Sequence, residues 1–352
     1  MGVVFITADI EGKRIKSHEL VIQPIHDIMK NQGYDCRWAT WNPWGERTGF
    51  RDEEISCFIT GDVGVPGHLR HRTFFHPHGL HPTEQAYVSD LWYAYLSPGS
   101  WWIGVPDGAP TFNEEKTPIT GWAKLDVLFK PGIKEKTISE HGLHDLPYEK
   151  TVLYAPTGNW DWATSFDASI EHILNLFSRL PYNLIVKNGV YSESFSKWNY
   201  FCNYIKNGPR NLRRIPINTD ISPLYLLADL MITDGSSVAW EFIGIDKPVI
   251  QLNNMKDPIP ATYPGLRDCQ FCKTVSGYHG GDDRYKQHEV CKTCGGIIKC
   301  GLNELEHNVK ECIENPAIHE KERREWAHKI NQYVDGKCAQ RCVDAIKKIA
   351  GI

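Results

Sequence analysis

At 352 residues the chain exceeds the size at which a single core keeps growing, so two domains are expected. Its 41% hydrophobic and 23% charged residues are ordinary globular proportions, which exclude disordered and membrane-integral classes. A formal charge of -4 excludes the dominant basic surface that sequence-independent nucleic-acid binding requires, so no nucleic-acid partner is expected.

The first apolar run, VVFITA at 3–8, has neither a basic flank nor a small-residue cleavage site, and reads as a first strand rather than a secretory signal. A polar-apolar stretch from Ser17 to Asn31, ended by Gly33, predicts the helix that follows. CFITGD from Cys57 to Asp62 and TFFHPHG from Thr73 to Gly79 read as buried parallel strands ending in polar loops. The aromatic segment from Tyr87 to Trp102 reads as irregular structure, and the aperiodic stretch from Pro131 to Lys150 as a linker. These features divide the chain into residues 1–150 and 151–352.

A second alternating pattern begins at Thr151. It contains strand TVLYAP, a helix from Phe166 to Leu180, strand NLIVK at 183–187 and a short strand from Arg214 to Ile217. Ser222 and Pro223 supply an N-cap and first-turn proline for a helix through Leu230. Strand LMIT, turn DGSS, helix VAWEFIG and strand PVIQL follow, so the alternation predicts a parallel, helix-covered sheet. Leu302, Leu305, Val309, Cys312 and Ile313 recur at helical spacing, Asn315 and Pro316 close that helix, and a last helical region covers 318–352. No internal repeat of 20 to 50 residues suggests a solenoid.

In open parallel sheets, ligands bind beyond the carboxyl ends of strands, where helix N-termini offer unpaired N–H groups. TDGSS at 233–237 falls at such a place. Gly235 allows close approach of a phosphate, the hydroxyls of Ser236 and Ser237 add donors, and Asp234 either fixes the turn or sets the polarity. The alternative is that Asp234, Ser236 or Ser237 only caps a helix.

The segment SPLYLLADLMITDGSSVAWEFIGIDKPVIQL resembles the donor-site region of the CDP-glycerol glycerophosphotransferase family, which builds teichoic-acid-like polymers. FHPHG at 75–79, GWAKLDVLF at 121–129, VLYAPT at 152–157 and DGKCAQRCVDAI at 335–346 resemble it in the same order. The resemblance implies an α/β fold of GT-B type, with two Rossmann-like domains facing a central cleft: acceptor-side domain 1–150 and nucleotide-donor domain 151–352. It implies His78 as the catalytic base, a role that an imidazole with an ordinary pKa near 6.5 suits. Without the resemblance, His76, His78 or His81 is simply a hydrogen-bonded loop residue. Gly235, Ser236 and Ser237 match the donor-phosphate motif, Asn218, Thr219 and Asp220 fall where the nucleotide base is approached, and Glu241 falls near the ribose. One departure stands out. Where the family has a histidine-proline pair touching the donor phosphates, this chain has Lys187, Asn188 and Gly189, so a cation and an amide replace the second histidine.

Between the PVIQL strand and the Leu302 helix, Cys269, Cys272, Cys291 and Cys294 form a CxxC-x18-CxxC pattern. Two such knuckles can complete a closed tetrahedral zinc site, so the expectation is a zinc-ribbon-like insertion at 266–301 holding structural zinc, with no catalytic metal. Reduced surface thiols and an iron-sulfur cluster are the alternatives, and Cys300, His279 and His288 are spare ligands. Eleven cysteines without a secretory signal fit a reducing, cytoplasmic compartment.

Trp92, Trp101 and Trp102 read as core before they read as an acceptor surface. Lys321, Arg323, Arg324, Lys329, Lys347 and Lys348 read as a solvated face before a peripheral membrane contact at the inner face of the cell membrane. Together these features predict transfer of a polyol-phosphate from a CDP-polyol to a hydroxyl of a glycan or polyol-phosphate acceptor, lipid-linked acceptors included, with release of CMP. The rivals are a UDP-sugar glycosyltransferase or epimerase, and a non-catalytic zinc-containing binding protein.

Overall fold

A computed structural model describes residues 2–10, 13–14, 16–41, 55–61, 67–77, 79, 92–100, 114–158, 164–189, 192–234, 236–252 and 294–352. The chain forms two compact units, one of residues 1–130 with 328–352 and the other of residues 131–327.

In the first unit, β1 (Gly2–Ile10) is followed by β2 (Lys13–Arg14), α1 (Lys16–Asn31), β3 (Asp35–Trp41), β4 (Ile55–Thr60), α2 (Gly67–Arg70), β5 (Thr73–Phe75) and β6 (Ala94–Tyr95). Strands β3, β1, β4, β5 and β6 lie side by side in that order, all parallel, while β2 folds back antiparallel on the end of β1. Val3, Val4, Phe5 and Ile6 are buried in succession, as a parallel strand covered on both faces requires. Helix α1 buries Val21, Ile22, Ile25 and Met29 along one stripe and packs on the 3-10 segment Ala123–Phe129.

The second unit contains α3 (Ile133–Glu140), β7 (Thr151–Ala155), α4 (Phe166–Phe177), β8 (Asn183–Lys187), α5 (Trp198–Asn207), β9 (Leu212–Ile215), β10 (Leu230–Thr233), α6 (Val238–Ile243), β11 (Val249–Leu252), β12 (Ile298–Cys300), α7 (Leu302–Glu314) and all but the last turn of α8 (Glu320–Ile330). Its six strands are parallel in the order β12, β11, β10, β7, β8, β9. The chain therefore steps from β7 outward to β9, then returns to β10 and steps outward the other way. The switch point lies between β7 and β10, where such sheets open a crevice at their carboxyl edge.

Several expectations change. Residues 131–150 are not a free linker: Gly132, left-handed at φ 71, leads into α3, and Lys150 and the Thr151 amide both engage Asp229. The unit boundary consequently falls at Lys130 rather than at 150. The last helix, α9 (Cys338–Ala350), belongs with the first unit, where its face of Cys338, Ala339, Cys342, Val343 and Ile346 packs on α1. Burial of that amphipathic face, not nearness in sequence, decides which sheet α9 covers. The Ser222–Leu226 stretch is a single 3-10 turn rather than a helix through Leu230, and the short strand lies at Leu212–Ile215. Trp92 is core, stacked on Phe75 with ring centroids 4.9 Å apart. Arg323 leaves the expected solvated face: it is buried and donates to the carbonyls of Ile318 and Pro316.

Candidate active site

Four strand ends of the second unit carry most of the expected donor-site residues to one edge of its sheet. Strand β7 runs into Thr157 and Gly158, β8 into Asn188 and Gly189, β9 into Asn218, Thr219 and Asp220, and β10 into Asp234, Ser236 and Ser237. Parallel pairing places these ends together, because every strand of the sheet points its carboxyl end the same way.

Asp234 is the knot of this edge. Its buried carboxylate accepts the Thr157 amide at 3.0 Å and hydroxyl at 2.5 Å, and the Ser165 amide at 2.7 Å and hydroxyl at 3.0 Å. Burial pushes the Asp234 pKa up, and the Thr157 and Ser165 hydrogen bonds oppose that shift. Asp234 thus fixes the β7 loop and the start of α4 against β10 across the switch point, and does not cap α6. Gly235 lies outside the described residues.

The cap alternative also fails for the serines. Ser237 occupies the N-cap position of α6, yet its side chain makes no capping bond. Among the described residues the half-buried hydroxyls of Ser236 and Ser237 take no partner, and neither do their amides. With only six residues, α6 contributes a small dipole, so the donors that could meet an anion here are these side-chain and backbone groups themselves.

Lys187 and Glu241 are built into the scaffold. The Lys187 ammonium donates to the carbonyls of Asn188 and Ile217, both at 2.7 Å, sewing the loop after β9 onto the end of β8. Glu241 is buried and accepts the Tyr225 hydroxyl at 2.6 Å. Burial first, and then the Glu241 carboxylate, raise the Tyr225 pKa well above its ordinary value. In the loop after β9, Asp220 accepts the Ser222 amide at 3.0 Å, Thr219 donates its amide to Pro216, and Asn218 is exposed.

Asn188 differs from all of these. Only 1% exposed, it has among the described residues no hydrogen-bond partner for either its amide nitrogen or its oxygen. Beside it, Gly189 approaches Gly158 so closely that an added Cβ would stand 2.8 Å from the Gly158 Cα. Thr157, Gly158, Ser165 and Gly189 were not anticipated as site residues. The one signal pointing to them was the VLYAPT motif, which ends on Thr157.

In the first unit, His78 and His81 lie outside the described residues, but the backbone on either side of His78 is fixed. The His76 ring is fully buried between the Leu96 carbonyl, 2.9 Å from Nδ1, and the Ala123 amide, which donates to Nε2 at 3.2 Å. Burial pushes its pKa down to about 4, so His76 is the neutral structural histidine of the group. The Trp122 indole N–H donates to the Pro77 carbonyl at 3.0 Å, holding the residue immediately before His78. The Trp122 amide is itself held by Asn331 at 3.0 Å.

Of the zinc-pattern cysteines, Cys269, Cys272 and Cys291 lie outside the described residues, and Cys294 opens a short 3-10 turn. Among the described residues no cluster of three or more His, Cys, Asp or Glu side chains is placed to hold a metal. Of the spare ligands, Cys300 falls among the described residues, while His279 and His288 lie outside them. Cys300 lies in β12 within the hydrophobic core, and burial raises its thiol pKa to about 11.

Residues 84–257 match the family described as CDP-Glycerol:Poly(glycerophosphate) glycerophosphotransferase. A comparison with curated proteins finds no match. Among solved structures, the wall teichoic acid polymerase TagF is similar with a TM-score of 0.67 at 16% identity, over 99% of this chain and 89% of TagF. The UDP-GlcNAc 2-epimerase of Neisseria meningitidis follows with a TM-score of 0.61 at 12% identity, over 99% of this chain and 100% of the epimerase. A related UDP-N-acetylglucosamine 2-epimerase from Listeria monocytogenes gives 0.58 at 13% identity, over 99% and 96%. At these identities the solved structures establish the α/β fold with parallel sheets.

Proposed function

We propose that this chain, whose residues 84–257 match the CDP-glycerol:poly(glycerophosphate) glycerophosphotransferase family, is a GT-B-type transferase moving a polyol-phosphate from a CDP-polyol to an acceptor hydroxyl. The observation that carries the reading is the unpaired Ser236 and Ser237 donors beside the β7/β10 switch point, with Asp234 locking the surrounding loops.

In this reaction the acceptor oxygen attacks the distal phosphorus of the CDP-polyol. A new P–O bond forms, the bond to the bridging oxygen breaks, and CMP leaves. The hydroxyl proton passes to His78 as general base. Donors already oriented at Ser236 and Ser237 stabilise charge on the diphosphate without reorganisation. Asn188 and Lys187 complete the phosphate end, with Lys187 acting through the backbone it holds. Asn218, Thr219 and Asp220 border the base, and Glu241 positions the ribose end through α6. The acceptor is a glycan or polyol-phosphate, lipid-linked chains included. A nucleotide donor places the reaction in the cytoplasm, with the membrane's inner face as the site of peripheral contact.

Cys269, Cys272, Cys291 and Cys294 are proposed to hold one structural zinc. In support, Gly295 and Gly296, directly after Cys294, are both left-handed at φ 62 and 74, which gives the chain reversal a cysteine knuckle needs. Elemental analysis giving far less than one zinc per chain, with no iron, would remove this part of the reading.

The function is tested by incubating the protein with a panel of CDP-polyols and UDP-sugars, each with glycan and polyol-phosphate acceptors, and identifying the nucleotide released. CMP is expected, with His78→Ala lowering kcat about 100-fold or more. Release of UDP, or no nucleotide from any donor, would overturn the proposal.

A further inference from the structure

A buried amide normally has its hydrogen bonds filled, because each empty position costs free energy. Asn188 leaves both ends empty while being only 1% exposed. Its place makes this informative. It follows β8 directly, and its neighbour Gly189 lies against Gly158, one residue beyond the Thr157 that Asp234 holds. Asn188 therefore sits at the sheet edge between the β7 loop and the loop after β9, whose Ile217 carbonyl shares the Lys187 ammonium with the Asn188 carbonyl.

An asparagine side chain offers two N–H donors and a carbonyl acceptor. An ionised phosphate can only accept, so it would fill the nitrogen and leave the oxygen bare. A group satisfying both ends presents an acceptor and a donor close together, as a hydroxyl beside a phosphate ester does. We infer that Asn188 reads the polyol of the donor, its amide nitrogen donating to a phosphoryl oxygen and its carbonyl accepting a polyol hydroxyl. Asn188 is then a specificity residue that separates polyol-phosphate donors from donors carrying a plain alkyl group. This inference rests on the CDP-polyol reading above.

The experiment measures binding of CDP, CDP-glycerol and the CDP ester of 1-propanol to the full chain by calorimetry. The wild type is expected to bind CDP-glycerol about tenfold more tightly than the propyl ester, the scale of one buried hydrogen bond kept or left unmade. Asn188→Leu is expected to bring the two esters within about twofold of each other and to weaken CDP about as much as the propyl ester, because the phosphoryl contact is lost from both. Equal binding of both esters by the wild type overturns the inference while leaving the transferase reading standing. Discrimination that persists in Asn188→Leu also overturns it, because the hydroxyl is then read elsewhere. If the wild type binds none of the three, the transferase reading falls and this inference with it. Should Asn188→Leu fail to fold, Asn188→Ala serves for the same comparison, and the wild-type measurement needs no variant.

Discussion

The Asp234 carboxylate accepts both the hydroxyl and the amide of Thr157, residues that end neighbouring strands β10 and β7 on opposite sides of the topological switch. Ser165 supplies two further donors. Asp234→Ala strands the buried Ser165 amide and the half-buried Thr157 amide and hydroxyl, while the Ser165 hydroxyl keeps only Tyr154, so stability should fall by about 3 kcal/mol. Chemical denaturation checks this. A variant as stable as the wild type would show that the loops find other acceptors.

Gly189→Ala tests the junction of the β7 and β8 loops. Its Cβ would stand 2.8 Å from both the Cα and the nitrogen of Gly158, and neither backbone atom can swing aside as a side chain does. The loops must separate, so CDP affinity should fall about tenfold, with a stability loss of about 1 to 3 kcal/mol. Unchanged CDP binding in calorimetry would place the donor elsewhere.

The pH dependence of stability should carry the signature of His76. Its pKa near 4 in the fold lies below the ordinary 6.5, so between these values the unfolded chain binds the extra proton. The stabilisation is present above pH 6.5 and is lost progressively as pH falls toward 4, about 3 kcal/mol in all. His76→Asn should flatten that limb in urea titrations run across this range. An undiminished slope in the variant would assign the effect to other groups.

Trp122→Phe keeps the ring but removes the donor to Pro77, the residue before His78. If Trp122 positions the catalytic base, kcat should fall about tenfold with KM nearly unchanged, because the loss falls on the geometry of the base. A variant that lost only thermal stability would assign Trp122 to folding alone.

Asp126 accepts the first amides of α9, from Cys338 at 3.0 Å and Ala339 at 2.7 Å. This is a capping contact from a residue more than 200 positions upstream. Asp126→Ala should cost about 1 to 2 kcal/mol and expose the α9 backbone in hydrogen exchange. Unaltered protection of 338–342 would contradict that role.

The sequence by itself determined the parallel, helix-covered sheets and the place of TDGSS at the end of a strand, because these depend on apolar runs, strand-helix alternation and local turn chemistry. Strand β3, with its mixture DCRWATW, was missed because a short segment without regular alternation has no period to read. Strand β6, at two residues, and α5, with tyrosines and asparagines among its apolar positions, escaped for similar reasons. Only the tertiary structure decided which polar groups hold the fold and which, among the described residues, are left unpaired. Asp234 and Glu241 look from the sequence like equal ligand contacts, yet both are tied to other side chains, whereas among the described residues the Asn188 side chain is tied to none. That distinction comes from partners brought together across parallel strands, such as Thr157 and Asp234, separated by 77 positions along the chain. The path of α9 onto the first unit has the same origin, since an amphipathic face states that it must be covered but not by what.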